Sequence, residues 1–445
     1  MTTATPEAAT RDAATPEAAT ASSGRPGPIG LPRLLSAAGQ PMDLAAHLQV
    51  HGRTPYRGGP GMLIHTIESA GLTGRGGAAF PTHTKLAAVA GQKGAPVVVG
   101  NGAEGEPASD KDKTLLWSCP HLVLDGLQLA AEAVGAKRVH LYVHREPRLV
   151  QRLQSAIAER AAAGLDRIAV GLVTAPVRFL AGEASALANR VEGGPALPRF
   201  SPPRVFERGV NGAPTLVQNV ETLAHLALIS RYGPAWFRTL GTETEPGSML
   251  TTVRLANGGG GVGETSLGTP IAELLRLAQY PAQAVLVGGY HGAWLSPEQA
   301  RALTLSNADL RPLGAAVGAG VLAALPVDRC GVIESARVVR YLALESAGQC
   351  GPCLNGLPLI ADTLSQLANH RSAPSARGDL ARWSKLVERR GACHHPDGTV
   401  RFLRSALTVF AAEVRVHEAG RCSASSYEPF LPIPAGSPDH KDDWS

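Results

Sequence analysis

Apolar and polar positions alternate along this chain in two different periods. Residues 63–70, 122–136 and 148–163 carry apolar side chains at helical spacing, and residues near 85–90 continue that pattern. Between them, 95–100, 138–143 and 168–174 are short runs rich in β-branched residues, of the kind buried in parallel sheets. Strand, helix, strand, helix, strand at these spacings predicts an α/β sheet covered on both faces, with right-handed crossovers. After about residue 240 the pattern changes. Residues 249–255, the glycines 258–261 and the segment from Thr265 predict a hairpin, followed by a helix over 270–278 and a strand over 284–288. That is a small α+β module. From Val332 onward only helices are expected, over 332–344, 356–367, 380–389 and 400–416, which makes a small four-helix bundle.

Composition narrows the class. The chain has 445 residues, 44% hydrophobic and 18% charged, enough for two or three cored domains. The start repeats ATPEAAT at residues 4–10 and 14–20, so 1–34 is expected to be a low-complexity tail and 421–445 a polar one. The net charge of +5 is spread without a Lys/Arg block, and only 4% of residues are aromatic, so no nucleic acid partner is expected. No stretch reaches the ~20 apolar residues of a membrane helix. The longest, 313–327, is broken by glycines. The N-terminus lacks the apolar core of a secretory signal, so the expected location is cytoplasmic, at most peripheral to a membrane complex. Six cysteines exclude a disulfide-stapled secreted fold.

Candidate chemistry gathers at a few junctions. Gly74, Gly76 and Gly77 lie in a loop between helices, where bare backbone can approach a phosphate or a flat ring, and Arg75 and Lys85 add positive charge. By itself a glycine-rich turn is more often only a turn. Asn101, Glu104 and Glu106 follow the buried run 95–100, and ligands bind at the carboxyl ends of such strands. Solvated acids in a surface turn are the competing reading. Two further junctions lie at 179–185 and 211–223. Cys350 and Cys353 form a C-x-x-C, with Cys393 further on, open to a redox pair, a metal site or chance. Cys119, Cys330 and Cys422 have no partner at metal spacing and read as ordinary small residues.

Taken in order, these junctions resemble the family of flavin-bearing, NADH-oxidising 51 kDa (F-type) subunits of respiratory NADH dehydrogenase. The family pattern GRGGAGFPTG-x-K is met by GRGGAAFPTHTK at 74–85, and NADEGEPG-x-x-KDR by NGAEGEPASDKDK at 101–113. YICGEETAL is met by FLAGEASAL at 179–187, PT-x-x-NNVETLA by PTLVQNVETLA at 214–224, and ESCGKCTPC by ESAGQCGPC at 345–353. The resemblance spans about residues 50–415.

It implies a Rossmann-like domain over 35–240 binding FMN and NAD(H), a β-grasp (SLBB-like) domain over 241–328 and an iron–sulfur-binding helical bundle over 329–420. Carried over by position, Gly74, Arg75, Gly76, Gly77 and Lys85 would hold phosphate and approach both cofactors, and Phe80 would stack on adenine. Asn101, Glu104, Gly182, Glu183, Asn219 and Thr222 would line FMN, with Glu106 near the nicotinamide. Cys350, Cys353 and Cys393 would hold a cluster, passing electrons from NADH through FMN to a ferredoxin-like or thioredoxin-like partner.

The departures are specific. Ala103, Ala184, Leu86 and Gln218 replace other residues of the family pattern, and each lost polar group removes a contact worth about 1 kcal/mol. Ala347 stands where the first cluster cysteine is expected. Four completions stay open: a [4Fe–4S] cluster with Ser346, His394, His395 or water as fourth ligand, a [3Fe–4S] cluster, a Cys₃His zinc site, or no metal. The last two belong to the alternative of a degenerate flavin-binding scaffold.

Overall fold

The computed structural model describes residues 27–36, 39–59, 61–200, 202–434 and 444–445. The ATPEAAT repeats lie outside these residues. The first unit is built on four parallel strands, β1 (Val97–Gly102), β2 (Arg138–His144), β3 (Val170–Ala175) and β4 (Thr215–Asn219), in the order β3-β2-β1-β4. Strand alternation divides the side chains between two cores. Val98, Val139, Leu141 and Leu216 face one, and Val97, Val99, Tyr142 and Val217 the other. Helices α1 (Leu44–His51), α2 (Met62–Ala70), α3 (Thr82–Ala90), α4 (Lys111–Ser118), α5 (Pro120–Val134), α6 (Pro147–Ala162), α7 (Ala184–Val191) and α8 (Val220–Phe237) cover the sheet. Helices α1, α4, α7 and α8 and strand β4 extend the expected pattern. Helix α8 is buried nearly all round from Val220 to Arg231, polar residues such as Glu221 and His225 included, and it is bent at Gly233 (φ 86°) before Pro234.

Residues 27–34, expected within the tail, are packed. Leu34 is buried, Arg33 stacks over the Trp236 ring at 4.1 Å, and Trp236 Nε1 donates to the Pro28 carbonyl. The far tail is likewise engaged, since Leu431 is buried against the helical region and Phe430 and Ile433 lie beside it.

The second unit is a five-stranded mixed sheet, with β5 (Ser248–Arg254), β6 (Gly260–Ser266), β7 (Ala282–Val287), β8 (Ala293–Leu295) and β9 (Val321–Pro326) in the order β6-β5-β9-β7-β8. The hairpin is real, but its second strand starts inside the glycine run. A Cβ on Gly260 would sit 1.9 Å from the Val253 carbonyl oxygen, at a φ of +136°. Strand β9, from the apolar run 313–327, is the sheet centre, parallel to β5 and antiparallel to β7. The helix expected over 270–278 is only α9 (Ile271–Leu274), because Arg276 turns left-handed. Short α10 (Pro297–Ala302) and α11 (Asn307–Leu310) are capped by Ser296 and Ser306.

The last unit contains α12 (Gly331–Leu344), α13 (Leu357–Ala368), α14 (Ala376–Val387), α15 (His395–Val409) and α16 (Ala411–Glu418). The helix expected over 400–416 is thus two, broken at Phe410, whose ring fills the space above Gly331. The helical core runs on into one face of the second sheet through Leu286, Trp294 and Leu325. The two units share a core there.

Candidate functional site

Strand order sets where a site can form. β1 pairs with β2 on one side and with β4 on the other, so the strand order reverses at β1, and the crevice outside the carboxyl ends of strands at such a reversal is where ligands bind. Four of the expected junctions converge there. Asn101 donates from Nδ2 to the Gly182 carbonyl at 2.8 Å and accepts from Ala103 N at 3.1 Å, joining the end of β1 to the 179–183 segment. A Cβ on Gly182 would lie 2.3 Å from the Ala103 carbonyl oxygen, so this approach needs glycine. Asn219 caps α8 by accepting from Glu221 N, and it donates to Asp112. The glycine loop folds back on itself, with Gly74 N donating to the Phe80 carbonyl, and comes down onto β4 at Gly76, 3.2 Å from the Asn219 Cβ for an added methyl.

The expected roles divide. Arg75 is buried, and its guanidinium donates to the carbonyls of Thr73, Ser248 and Pro246, while its amide donates to Thr222 Oγ1 at 2.8 Å. The charge of Arg75 and the hydroxyl of Thr222 are therefore spent fixing the loop against the second unit and α8. Gly77 bridges to Gly318 of that unit. Lys85, on α3, is the motif's second cation. It donates to the Val217 carbonyl, and burial lowers its pKa to about 8. Phe80 stays half exposed. Glu183 caps α7, accepting from the amides of Ser185 and Ala186.

Two acids lie side by side after β1. Burial raises Glu104 to about 7, helped by Asp112. Burial raises Glu106 to about 8, although its carboxyl accepts from Tyr290 N at 2.6 Å and Ala108 N at 3.1 Å. The second unit thus reaches into the crevice, and any side chain on Gly289 would strike Glu106.

Beneath lies a charged network whose residues stand inside the motifs but drew no role from sequence. Lys111 is fully buried between Asp112 (2.5 Å) and Glu221 (3.0 Å). Burial alone would raise Glu221, but Lys111 holds it at about 2. Glu221 also accepts from Leu250 N, tying α8 to β5. The signal was present as the KD of 111–112 and the VET of 220–222.

Cys350, Cys353 and Cys393 are brought together where α12 ends and α15 begins. Burial and the neighbouring Cys350 push the Cys353 thiol up to about 12, and Cys393 is raised by burial with Glu183 and Cys350 close by. The Ser346 hydroxyl lies beside Cys353, shut from solvent without a conventional hydrogen-bond partner. His395 is committed elsewhere, through Nε2 to the Leu342 carbonyl at 2.7 Å and Nδ1 to His291. The first-cysteine position, Ala347, supplies no donor. Cys330 and Cys422, expected to be alone, lie together with Glu413 and His417.

Comparison with known proteins gives one family. Residues 67–228 match the Nuo51 FMN-binding domain, and 334–417 the NADH-ubiquinone oxidoreductase-F iron-sulfur binding region. The chain is 30% identical over 386 residues to an NADH-quinone oxidoreductase subunit, type F 2, of Rhizobium meliloti, covering 82% of this chain and 90% of that one. Among solved structures, an air-oxidized NAD+-reducing [NiFe]-hydrogenase chain superposes with a TM-score of 0.76 at 29% identity, over 89% of this chain and 69% of that one. The H2-reduced form gives 0.72 at 31% over 82% of this chain, which there spans 63% of the hydrogenase chain's length. Motifs, crevice and relatives agree: the chain belongs to the family of F-type NADH-quinone oxidoreductase subunits.

Proposed function

We propose that the crevice at the ends of β1 and β4 binds FMN and NADH, and that Cys350, Cys353, Cys393 and Ser346 together hold an iron–sulfur cluster. The observation that carries this is the convergence of the four motif segments on one crevice whose rim runs directly to the cysteines. The donor set fits a flavin phosphate and ring. Gln218 keeps a buried amide nitrogen without a partner, and the residues on either side of it meet Lys85, at the Val217 carbonyl, and the glycine loop, at Asn219. The Ser346 hydroxyl, shut from solvent beside Cys353, fits the donor that Ala347 lacks.

When bound, FMN would supply hydride acceptance from NADH and the release of single electrons toward the cluster. The residues of this chain bind, orient and exclude water. Lys85 and the glycine loop hold phosphate, Phe80 offers an exposed aromatic face for the adenine, and Asn101, Gly182 and Asn219 set the floor. Glu104 lines the flavin and Glu106 borders the nicotinamide, both shifted toward neutrality. Arg75, Thr222 and Glu183 position the backbone around them. Residues 241–328, in this reading a β-grasp module, press on the glycine loop and Glu106, and residues 329–420 form the cluster-bearing bundle. The electron acceptor is a ferredoxin-like or thioredoxin-like component of a larger assembly. Among the described residues no helix is long and apolar enough to cross a membrane.

The test is anaerobic purification followed by flavin and iron analysis. Flavin with bound iron, and an iron–sulfur absorbance that bleaches with NADH, is the expected result, with iron lost in Ser346→Ala and regained in Ser346→Ala/Ala347→Cys. Flavin without iron that ignores NADH would establish the degenerate scaffold instead, a reading favoured only by Ala347.

A further inference from the structure

Away from the crevice, four metal-ligating side chains from three places in the chain converge. Cys330 caps the start of α12, Glu413 and His417 lie one turn apart on α16, and Cys422 follows that helix. Their ligand atoms all lie within 4.8 Å of one another. Cys330 Sγ is 3.2 Å from His417 Nε2 and 3.8 Å from Glu413 Oε1, and His417 Nε2 is 3.2 Å from Glu413 Oε1. A tetrahedral zinc with bonds of about 2.0–2.3 Å has ligand–ligand edges of about 3.3–3.8 Å. The three distances lie within about 0.1 Å of that range.

The surrounding bonds aim the ligands. His417 Nδ1 faces the Leu367 carbonyl at 3.2 Å, and a carbonyl only accepts, so Nδ1 carries the proton and Nε2 presents its lone pair. That lone pair points at a carboxylate oxygen, itself only an acceptor. Two acceptors and two thiols around one point are satisfied together by a cation. Glu413 is held in place by the amide and hydroxyl of Ser423. The Ile333 amide donates to Cys330 Sγ at 3.4 Å, which favours the thiolate at a helix start. His417 and Cys330 are nearly free of solvent contact.

We propose that Cys330, Glu413, His417 and Cys422 form a structural zinc site, separate from the cluster cysteines. All four positions are protein ligands, so the site is closed and leaves no position for substrate. Its role is to staple the start of α12 to α16, residues 87 apart in sequence. Binding releases the two thiol protons to solvent and leaves the oxidation states unchanged. This goes beyond the flavin and cluster reading and stands without it.

Metal analysis of the purified full-length protein tests it. About one zinc per chain is expected, surviving gel filtration. His417→Ala and Cys422→Ser should lose it while flavin and iron content stay, and His417→Cys should restore it. On the unaltered chain, exchange with Co2+ should give the intense visible bands of a tetrahedral thiolate site. Three results overturn the proposal: no zinc retained after addition of Zn2+ to the reduced protein, zinc unchanged in Cys330→Ser/Cys422→Ser, or a Cys330–Cys422 disulfide in place of metal in the freshly isolated protein.

Discussion

Glu106 holds a carboxyl in a place where water does not reach, and burial raises its pKa from 4.5 to about 8. An acid with a raised native pKa binds its proton more tightly folded than unfolded. Its contribution to stability is therefore complete below 4.5 and is lost as pH climbs toward 8. Between those values the slope reaches at most about 1.4 kcal/mol per pH unit for one proton. Glu106→Gln should flatten that part of the profile and make the protein more stable than wild type above pH 8, as read by thermal melts across pH. Lys111 presents the opposite case. Its ammonium is the cation between Asp112 and Glu221, so Lys111→Met leaves two buried carboxylates without compensation. A loss of about 3–5 kcal/mol is expected in denaturant unfolding. Lys111→Met with Glu221→Gln should recover part of it.

At the scale of elements, glycine separates close packing from mere turns. Helix α5 touches α8 at Gly126, where a Cβ would lie 1.9 Å from the Leu223 carbonyl oxygen. Gly126→Ala should cost about 1–3 kcal/mol or more, since one backbone must move off the other. Gly378, inside α14, has nothing within 4 Å of its would-be Cβ, and Gly378→Ala should gain about 0.5–1 kcal/mol from helix propensity alone. Paired chemical denaturation curves check both signs. The same local logic explains which elements could be read from sequence. β1 to β3 announce themselves by β-branched runs, and α12 and α13 by their periodicity. β4 ends in Gln218 and Asn219 and is too short and polar at its end to stand out. β9 is an alanine-rich apolar run whose strand character comes from the two neighbours that pair with it. The site divides along the same line. Asn101, Gly182 and Asn219 were legible because they sit on local turns and caps. The engagement of Arg75 by carbonyls 171 and 173 residues away was not, and neither was the pairing of Cys330 with His417.

Across the whole molecule, one short segment joins all three units. Glu345, which opens the ESAGQCGPC stretch, accepts from Arg178 Nε at 2.9 Å and from Phe179 N at 2.8 Å. Phe179 then packs against His291 of the second unit at 4.6 Å, and against Tyr341 and His395 of the helical unit. Four residues on, Glu183 caps α7 and neighbours Cys393. The 178–183 segment, which meets the end of β1 through Gly182, is thereby clamped to the loop that carries Cys350 and Cys353. Glu345→Ala removes the one oxygen that accepts both bonds and leaves the buried Arg178 guanidinium without its carboxylate, an expected loss of about 3–5 kcal/mol. The clamp also fixes the spacing between crevice and cysteines. Stopped-flow on Glu345→Ala should therefore show flavin reduction by NADH at an unchanged rate. Passage of electrons onward to the cluster should be slowed roughly tenfold or more, the scale on which small misplacements act. Glu345→Gln keeps one acceptor oxygen for Phe179 N and should fall between the two. If both steps slow equally, the clamp serves the fold alone, and the spacing of the two centres is set elsewhere.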